Sequence, residues 1–244
     1  MVTINIDGRD IQAKEGSTVF EVARSRGILI PALCNHEAVK PYGACRLCMV
    51  EITTKDGRSR LVTSCLYPVE EGLKVNTKSE KVLSVRRGVI ELLLSRCPQV
   101  REIQELARSL GVTKPPFKAR NKDEDCILCG LCVRVCAEVV GANAISLANR
   151  GTKKEAAPPF HETAEACIGC LSCAFVCPTG AIKAEDEKGY RVIPRWGVKL
   201  KLKRCKACGY HFAPERQLEY MIEKENLPSD SFDHCPACRA KMGQ

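Results

Sequence analysis

Aromatic residues are scarce in this 244-residue chain: 5% of positions and a single tryptophan, so stacking of large rings contributes little to any core. Only four histidines occur, His36, His161, His211 and His234, and they are scattered, which leaves no histidine-centred catalytic constellation. Two phosphate-binding patterns are missing, Gly-x-Gly-x-x-Gly after a strand and Gly-x4-Gly-Lys-Ser/Thr, so no nucleotide or flavin site is legible. No apolar run approaches the roughly 20 residues that cross a bilayer. Met1-Val-Thr-Ile-Asn-Ile-Asp has neither the basic segment nor the apolar segment of a secretory leader. The expectation is a protein of the reducing cytoplasm with no direct membrane span.

Against these shortages stands cysteine, with 17 residues. A disulfide scaffold accounts for such a count in short secreted domains. Here the cysteines fall into tight Cys-x2-Cys groups, a spacing that suits metal ligation better than closure of long loops. The formal charge of +9 counts each cysteine as a neutral thiol. A tetrathiolate site around a divalent core carries about −2, so four of them bring about −8 and leave the loaded protein near neutral. The basic balance is therefore a weak sign of a polyanionic partner. The run Lys199-Leu-Lys-Leu-Lys-Arg204 reads as a solvated face or a docking surface for an acidic partner.

By spacing, the cysteines divide into four groups. Cys34, Cys45, Cys48 and Cys65 form Cys-x10-Cys-x2-Cys-x16-Cys. Cys126, Cys129, Cys132 and Cys136, then Cys167, Cys170, Cys173 and Cys177, are two copies of Cys-x2-Cys-x2-Cys-x3-Cys. Cys205, Cys208, Cys235 and Cys238 make two Cys-x2-Cys knuckles, and Cys97 stands alone. The knuckles suit a tetrahedral site closed by four thiolates, for which zinc is the expected occupant and a structural staple the expected role. Rubredoxin-like iron and a further cubane are the alternatives there. His211 and His234 flank these knuckles, and His36 lies in the loop of the first set.

Local patterns frame the first set. Val2, Ile4 and Ile6 alternate with polar residues, and Asp7-Gly8 signals a hairpin before Ile11. Thr18 and Glu21 have capping-box spacing for a helix carrying Val19, Val22 and Ala23, with Gly27 as its stop. Residues 49–53 and 60–64 read as strands around an Asp56-Gly57 turn, and Gly43 and Ala44 leave room for backbone amides to point at sulfur. Beyond them, Val82, Leu83, Val85, Val89, Ile90, Leu92, Leu93 and Leu94 give helical apolar spacing, with a second helical stretch over 101–110. Gly111 caps it and Pro115-Pro116 reads as a linker. A helix is also expected over 215–226, with Leu218, Met221 and Ile222 on one side.

The stretch Pro-Ala-Leu-Cys34-Asn-His through Gly-Ala-Cys45-Arg-Leu-Cys48-Met-Val-Glu-Ile resembles the N-terminal [2Fe–2S] domain of the large peripheral subunit of respiratory NADH dehydrogenase. It also resembles the diaphorase gamma subunit of NAD-reducing hydrogenases and its counterpart in electron-bifurcating hydrogenases. The resemblance covers about residues 1–110 and implies a β-grasp ferredoxin with [2Fe–2S] on Cys34, Cys45, Cys48 and Cys65. In that family the helical connector commonly supplies one histidine and three cysteines to a further [4Fe–4S] cluster. Cys97 is the only cysteine between Cys65 and Cys126 and no histidine lies there, so that cluster is expected to be missing and Cys97 to be a buried small hydrophobe.

The repeat resembles bacterial two-cluster ferredoxins, although its first copy ends Cys136-Ala137 where the second has Cys177-Pro178. The resemblance implies crossed ligation, in which the fourth cysteine of each copy serves the other cluster. One cubane then takes Cys126, Cys129, Cys132 and Cys177, and the other takes Cys167, Cys170, Cys173 and Cys136. The whole reads as an α+β multi-domain chain. Its parts are a β-grasp [2Fe–2S] ferredoxin (1–78), a helical connector (79–117), a 2[4Fe–4S] ferredoxin (118–190) and a zinc-ribbon-like domain (191–244).

The resemblance implies a non-catalytic electron-transfer subunit between a flavin- and NAD-binding diaphorase subunit and a second redox subunit. With no cysteine motif for an iron-only hydrogen-activating cluster, a [NiFe] hydrogenase is the expected second partner. Soluble ferredoxin is a further partner to consider. A formate dehydrogenase, a tungsten or molybdenum oxidoreductase, or an acyl-CoA reductase is the alternative terminal enzyme. The reading of a different class is a zinc-knuckle protein that binds nucleic acid or regulates, set against the expectation of no nucleic-acid partner.

Overall fold

The computed structural model describes residues 1–242, an α+β chain that divides into two compact units, Met1–Leu131 and a second beginning at Cys132. The first unit opens with strands β1 (Val2–Ile6) and β2 (Arg9–Ala13). Asp7 and Gly8 both take positive φ, as a type I′ hairpin turn requires. Helix α1 (Val19–Ser25) starts with both halves of the capping box: Thr18 Oγ1 accepts from Glu21 N–H at 3.2 Å, and the Glu21 carboxylate accepts from Thr18 N–H at 2.7 Å.

Strands β3 (Met49–Thr53) and β4 (Ser59–Thr63) form the second hairpin, and a short strand, β5 (Lys74–Asn76), closes the sheet. The strand order is β2-β1-β5-β3-β4, with β5 parallel to β1 and antiparallel to β3. That order, with a helix packed across it, is the β-grasp topology. Ile4, Ile6, Val50, Ile52 and Val75 from the sheet, Leu73 just before β5, and Val19, Phe20, Val22 and Ala23 from α1 share one core, which also takes in Cys48 and Cys65. β5 escapes a pattern reading because three residues cannot show a period and both of its partners lie far away in sequence.

Helices α2 (Glu80–Arg96) and α3 (Arg101–Ser109) follow. The buried side of α2 runs through Val82, Arg86, Ile90 and Leu94 at four-residue intervals, so a guanidinium occupies a position in an otherwise apolar stripe. Around Ile90, Leu94, Val100, Ile103 and Ala107 forms a second core, which includes Cys34, Cys45 and Cys97. The first cysteine set, Cys34, Cys45, Cys48 and Cys65, is therefore divided between the two cores of this unit.

Within the second unit, helix α4 (Leu131–Arg134, whose first residue belongs to the first unit) runs on as a π-helical segment, Val135–Val140, which ends at Gly141 with φ +84°. Strands β6 (Ser146–Ala148) and β7 (Glu155–Ala157) pair with each other, and α5 (Ser172–Phe175) is a single turn. α4 and α5 are each four residues long, and only α4 runs on, for a plain reason. Pro178 follows Cys177 and cannot continue a helix, whereas Ala137 after Cys136 lets the first helix extend.

Strands β8 (Glu185–Glu187), β9 (Tyr190–Ile193), β10 (Val198–Arg204) and β11 (His211–Pro214) make a four-stranded sheet, which runs across residue 190 without a break. Helix α6 (Glu215–Glu225) and helix α7 (Pro236–Met242) complete the unit. Ile145, Ala156, Ile182, Ile193, Trp196 and Val198 form its core, with five cysteines of the repeat packed against it.

Ile52 is fully buried in the sheet of the first unit. Ile52→Ala is expected to cost about 2–5 kcal/mol, read as a lowered denaturation midpoint of the anaerobically prepared protein.

Candidate metal centres

Cys34, Cys45, Cys48 and Cys65 are all buried, and the structure sorts them into two pairs. Cys45 N–H donates to Cys34 Sγ at 3.3 Å, and Leu33 N–H donates to Cys45 Sγ at 3.4 Å. Cys48 Sγ and Cys65 Sγ lie 3.4 Å apart. In each pair one sulfur is held as the thiolate by its partner's S–H: Cys45 falls to about 5 and Cys48 to about 6, while Cys34 and Cys65 are pushed up. Two pairs of adjacent thiols, with backbone amides aimed at sulfur, fit a binuclear cluster that takes two thiolates at each iron.

The loop geometry is specific. Gly43 has φ +72°, a left-handed backbone that glycine adopts without strain, and a Cβ there would lie 2.6 Å from Leu66 Cδ1, so the exposed Leu66 side chain would have to shift. Ser64 Oγ donates to the Cys48 carbonyl at 2.7 Å, tying the loop to the second hairpin.

Arg86, 4% exposed, reaches from α2 to the backbone on either side of Cys48: Nε donates to Leu47 O at 3.0 Å and Nη2 to Met49 O at 2.8 Å. Burial pulls this guanidinium below its ordinary value, while the Cys48 thiolate draws it the other way. A charged residue in an apolar stripe was the one signal in the sequence that could have marked it.

The two ferredoxin copies share an unusual backbone. Leu128 and Gly130 in the first, and Gly169 and Leu171 in the second, all have positive φ, at matching positions relative to their cysteines. A leucine in the left-handed region costs of order 1–3 kcal/mol and persists only where its surroundings fix it. In the first unit, Arg96 Nε donates to Cys126 O at 2.7 Å, and Cys126 N–H donates to Glu124 Oε1 at 2.9 Å.

In the second unit, Cys136, Cys167, Cys170 and Cys173 line one hollow, whose other walls include Val140, Ala144, Ile145, Ile168, Ile193 and Trp196. About 370 Å³ across the hollow and its open mouth is free of protein atoms. Ala144 N–H donates to Cys136 Sγ at 3.3 Å, and burial pushes Cys167 up and Cys173 up to about 11. Four thiols around an apolar cavity with amide donors fit a [4Fe–4S] cluster. Cys132 and Cys177 belong to the same core, and Cys177 Sγ accepts from Ala181 N–H at 3.3 Å.

Cys205, Cys208, Cys235 and Cys238 converge until their sulfurs all lie within 4.8 Å of one another. Knuckle hydrogen bonds shape the site: Gly209 N–H to Cys205 O at 3.0 Å, and Cys235 N–H to Cys205 Sγ at 3.3 Å. Backbone N–H groups of Cys208 and Cys235 hold Cys205 at about 6, while hydrogen bonds with Cys208 and Cys235 push Cys238 to about 12. The donor set suits a tetrahedral metal ion, and no histidine joins it.

Cys97 stands outside all four groups, fully buried, with a thiol pushed up to about 12 chiefly by desolvation. His36 accepts from Ala38 N–H at 3.2 Å through Nδ1, and His161 lies 3.9 Å from Glu155.

Residues 1–80 match the family described as a 2Fe-2S iron-sulfur cluster binding domain, and residues 125–181 match the 4Fe-4S dicluster domain. The chain is thus an iron–sulfur protein with two ferredoxin-type domains. Over 90% of its length it is 34% identical to the NADPH-Fe(3+) oxidoreductase subunit alpha of Geobacter sulfurreducens, of which it covers 28%. It is 35% identical, over 79% of its length, to the NADP-reducing hydrogenase subunit HndD of Solidesulfovibrio fructosivorans, of which it covers 37%.

Identity with an NADH-quinone oxidoreductase subunit of Rhizobium meliloti is 29%, covering 86% of this chain and 27% of the relative. The chain therefore spans roughly a third or less of the length of these curated relatives. A chain of the crystal structure of NAD+-reducing [NiFe]-hydrogenase in the H2-reduced state superposes with a TM-score of 0.64 at 27% identity. That match covers 93% of this chain and 99% of the other.

Cys97→Ser is expected to leave the iron content unchanged and to lower stability by about 1–3 kcal/mol through burial of a hydroxyl. A deficit near four irons per chain, measured by metal analysis, would show that Cys97 is a cluster ligand.

Proposed function

We propose that this chain is an electron-relay subunit, carrying one [2Fe–2S] and two [4Fe–4S] clusters, that links a flavin-containing NAD(P)H-oxidising subunit to a second redox module. The observation that carries the reading is the hollow lined by one cysteine of the first ferredoxin copy, Cys136, and three of the second, Cys167, Cys170 and Cys173. Each cluster, when bound, takes up and gives back electrons one at a time. The chain's own part is to hold the sulfurs, to aim amides at them, and to wall them with aliphatic side chains that keep water away.

The names of the relatives support the partner on one side. NADPH, NADP, NADH or NAD+ figures in each, whereas the other reactant changes from ferric iron to hydrogen to quinone. The proposed input is therefore a pyridine-nucleotide flavin subunit. For the second module we favour a [NiFe] hydrogenase, on the strength of the superposed chain, in a complex that could also exchange electrons with soluble ferredoxin or bifurcate them. No helix among the described residues is long and apolar enough to cross a membrane. All 17 cysteines are free of disulfides, in keeping with the reducing cytoplasm we assign.

The proposed ligand sets are Cys34, Cys45, Cys48 and Cys65 for [2Fe–2S], and Cys136, Cys167, Cys170 and Cys173 for one cubane. The set Cys126, Cys129, Cys132 and Cys177 for the other cubane rests on the spacing of the repeat. Zinc is proposed for Cys205, Cys208, Cys235 and Cys238, as a structural staple. The functional division at 1–78, 79–117, 118–190 and 191–244 follows these sets.

Three of the four basic residues of the run in β10 have partners within the chain. Lys199 lies over the Tyr190 ring at 4.7 Å, Lys201 pairs with Glu215 at 3.0 Å and Lys203 with Asp233 at 3.8 Å.

Anaerobic purification from the native host is expected to yield about 10 iron and 10 acid-labile sulfides per chain, about one zinc, paramagnetic signals of both cluster classes on reduction, and a co-purifying flavoprotein. Colourless, zinc-only material that retains nucleic acid would overturn the proposal.

Crossed ligation has its own test. Cys136→Ala and Cys167→Ala should each abolish the same cubane signal, with a loss of about four irons. If Cys136→Ala instead matches Cys126→Ala, the crossing is wrong.

A further inference from the structure

The chain's one tryptophan, Trp196, ends a short 3-10 turn, Pro194–Trp196, between β9 and β10. It is 1% exposed and lines the same hollow as Cys136, Cys167, Cys170 and Cys173. Its ring packs in the core of the second unit with Ile193 and Val198, a task that phenylalanine would perform as well. What tryptophan adds is an indole N–H, and here Nε1 is buried with no hydrogen-bond partner among the described residues. Tryptophan N–H groups usually find an acceptor when buried, and an orphaned donor costs about 1–3 kcal/mol.

The hollow that Trp196 lines offers the sulfurs of Cys136, Cys167, Cys170 and Cys173 as acceptors.

We infer that Trp196 is a positioning residue for the cubane of this hollow, donating its indole N–H to one of the cysteine sulfurs that hold it and thereby holding the reduction potential of that cluster up. The inference rests on the reading that Cys136, Cys167, Cys170 and Cys173 hold one [4Fe–4S] cluster. Its physical basis is that reduction adds a negative charge shared by the thiolates. A donor fixed on a thiolate therefore stabilises the reduced form more than the oxidised form, and more strongly where water is excluded. The donor also accounts for the one residue in this core whose polar atom would otherwise have nothing to do.

Trp196→Phe keeps the aromatic packing and deletes only the N–H. In redox titrations of the anaerobic full-length protein followed by electron paramagnetic resonance, we expect the reduction equilibrium of one cubane to shift about tenfold toward the oxidised form. This is about 59 mV for a one-electron couple. The iron content and the [2Fe–2S] midpoint should stay as they were. Unchanged midpoints with full iron would overturn the role of Trp196 while leaving the ligand set intact.

A second measurement needs no variant. Because the chain has a single tryptophan, indole-15N labelling marks one nitrogen, and a 15N coupling on the reduced cubane signal of the unsubstituted protein is expected. A cubane signal without that coupling would overturn the inference. Loss of four irons in Cys136→Ala tests the ligand set separately.

Discussion

Thiolates crowded together without a cation repel one another, at about 4 kcal/mol per pair of unit charges 4 Å apart in a medium of effective dielectric near 20. This chain brings sulfurs to 3.4 Å at Cys48 and Cys65 and to 3.8 Å at Cys208 and Cys235. Such spacing is tolerable in two ways: protons shared between paired thiols, or metal between them. The split shifts at Cys34/Cys45 and Cys48/Cys65 describe the first state, in which each pair retains a proton. Iron bound at these pairs would replace those protons, and binding would then add to the free energy of folding. The surrounding backbone is arranged for that exchange, with amides of Leu33, Cys45, Ala144 and Ala181 already directed at sulfur.

The same electrostatics explains the placement of Arg86. A guanidinium buried in an apolar stripe is costly unless its donors and its charge are both answered. The carbonyls of Leu47 and Met49 answer the donors, and the thiolate of Cys48 between them supplies the opposite charge. Helix α2 is thereby fastened to the loop on either side of Cys48. The basic excess of the sequence thus has at least one specific site of use, beside sulfur.

Much of the first unit was legible in the sequence because its signals are local. The Asp7-Gly8 turn, the Thr18–Glu21 capping box and the strand over 49–53 each sit within a few residues, and each forms as expected. The strand at 60–64 begins one residue earlier, at Ser59. β5 and the four-stranded sheet of the second unit were not legible, since short strands with distant partners leave no period to read. The cysteines declared themselves by spacing, and the convergence of Cys205, Cys208, Cys235 and Cys238 follows from it. Arg86 showed itself only as a charge within an apolar stripe and Trp196 not at all, because a lone tryptophan carries no motif and acquires meaning only from what the fold sets beside it.

The helix that outruns its counterpart in the second copy has one further effect. Its π-helical end leaves the Val140 carbonyl open, and Tyr220 of α6 donates to it at 2.6 Å. Val140 is also a wall of the cysteine-lined hollow. Where the other copy has proline, this one has alanine, and the extra turn becomes a peg on which the carboxy-terminal module hangs. Integrity of the tail and shelter of the cavity are thus mechanically joined, through the side chain at a single position after Cys136.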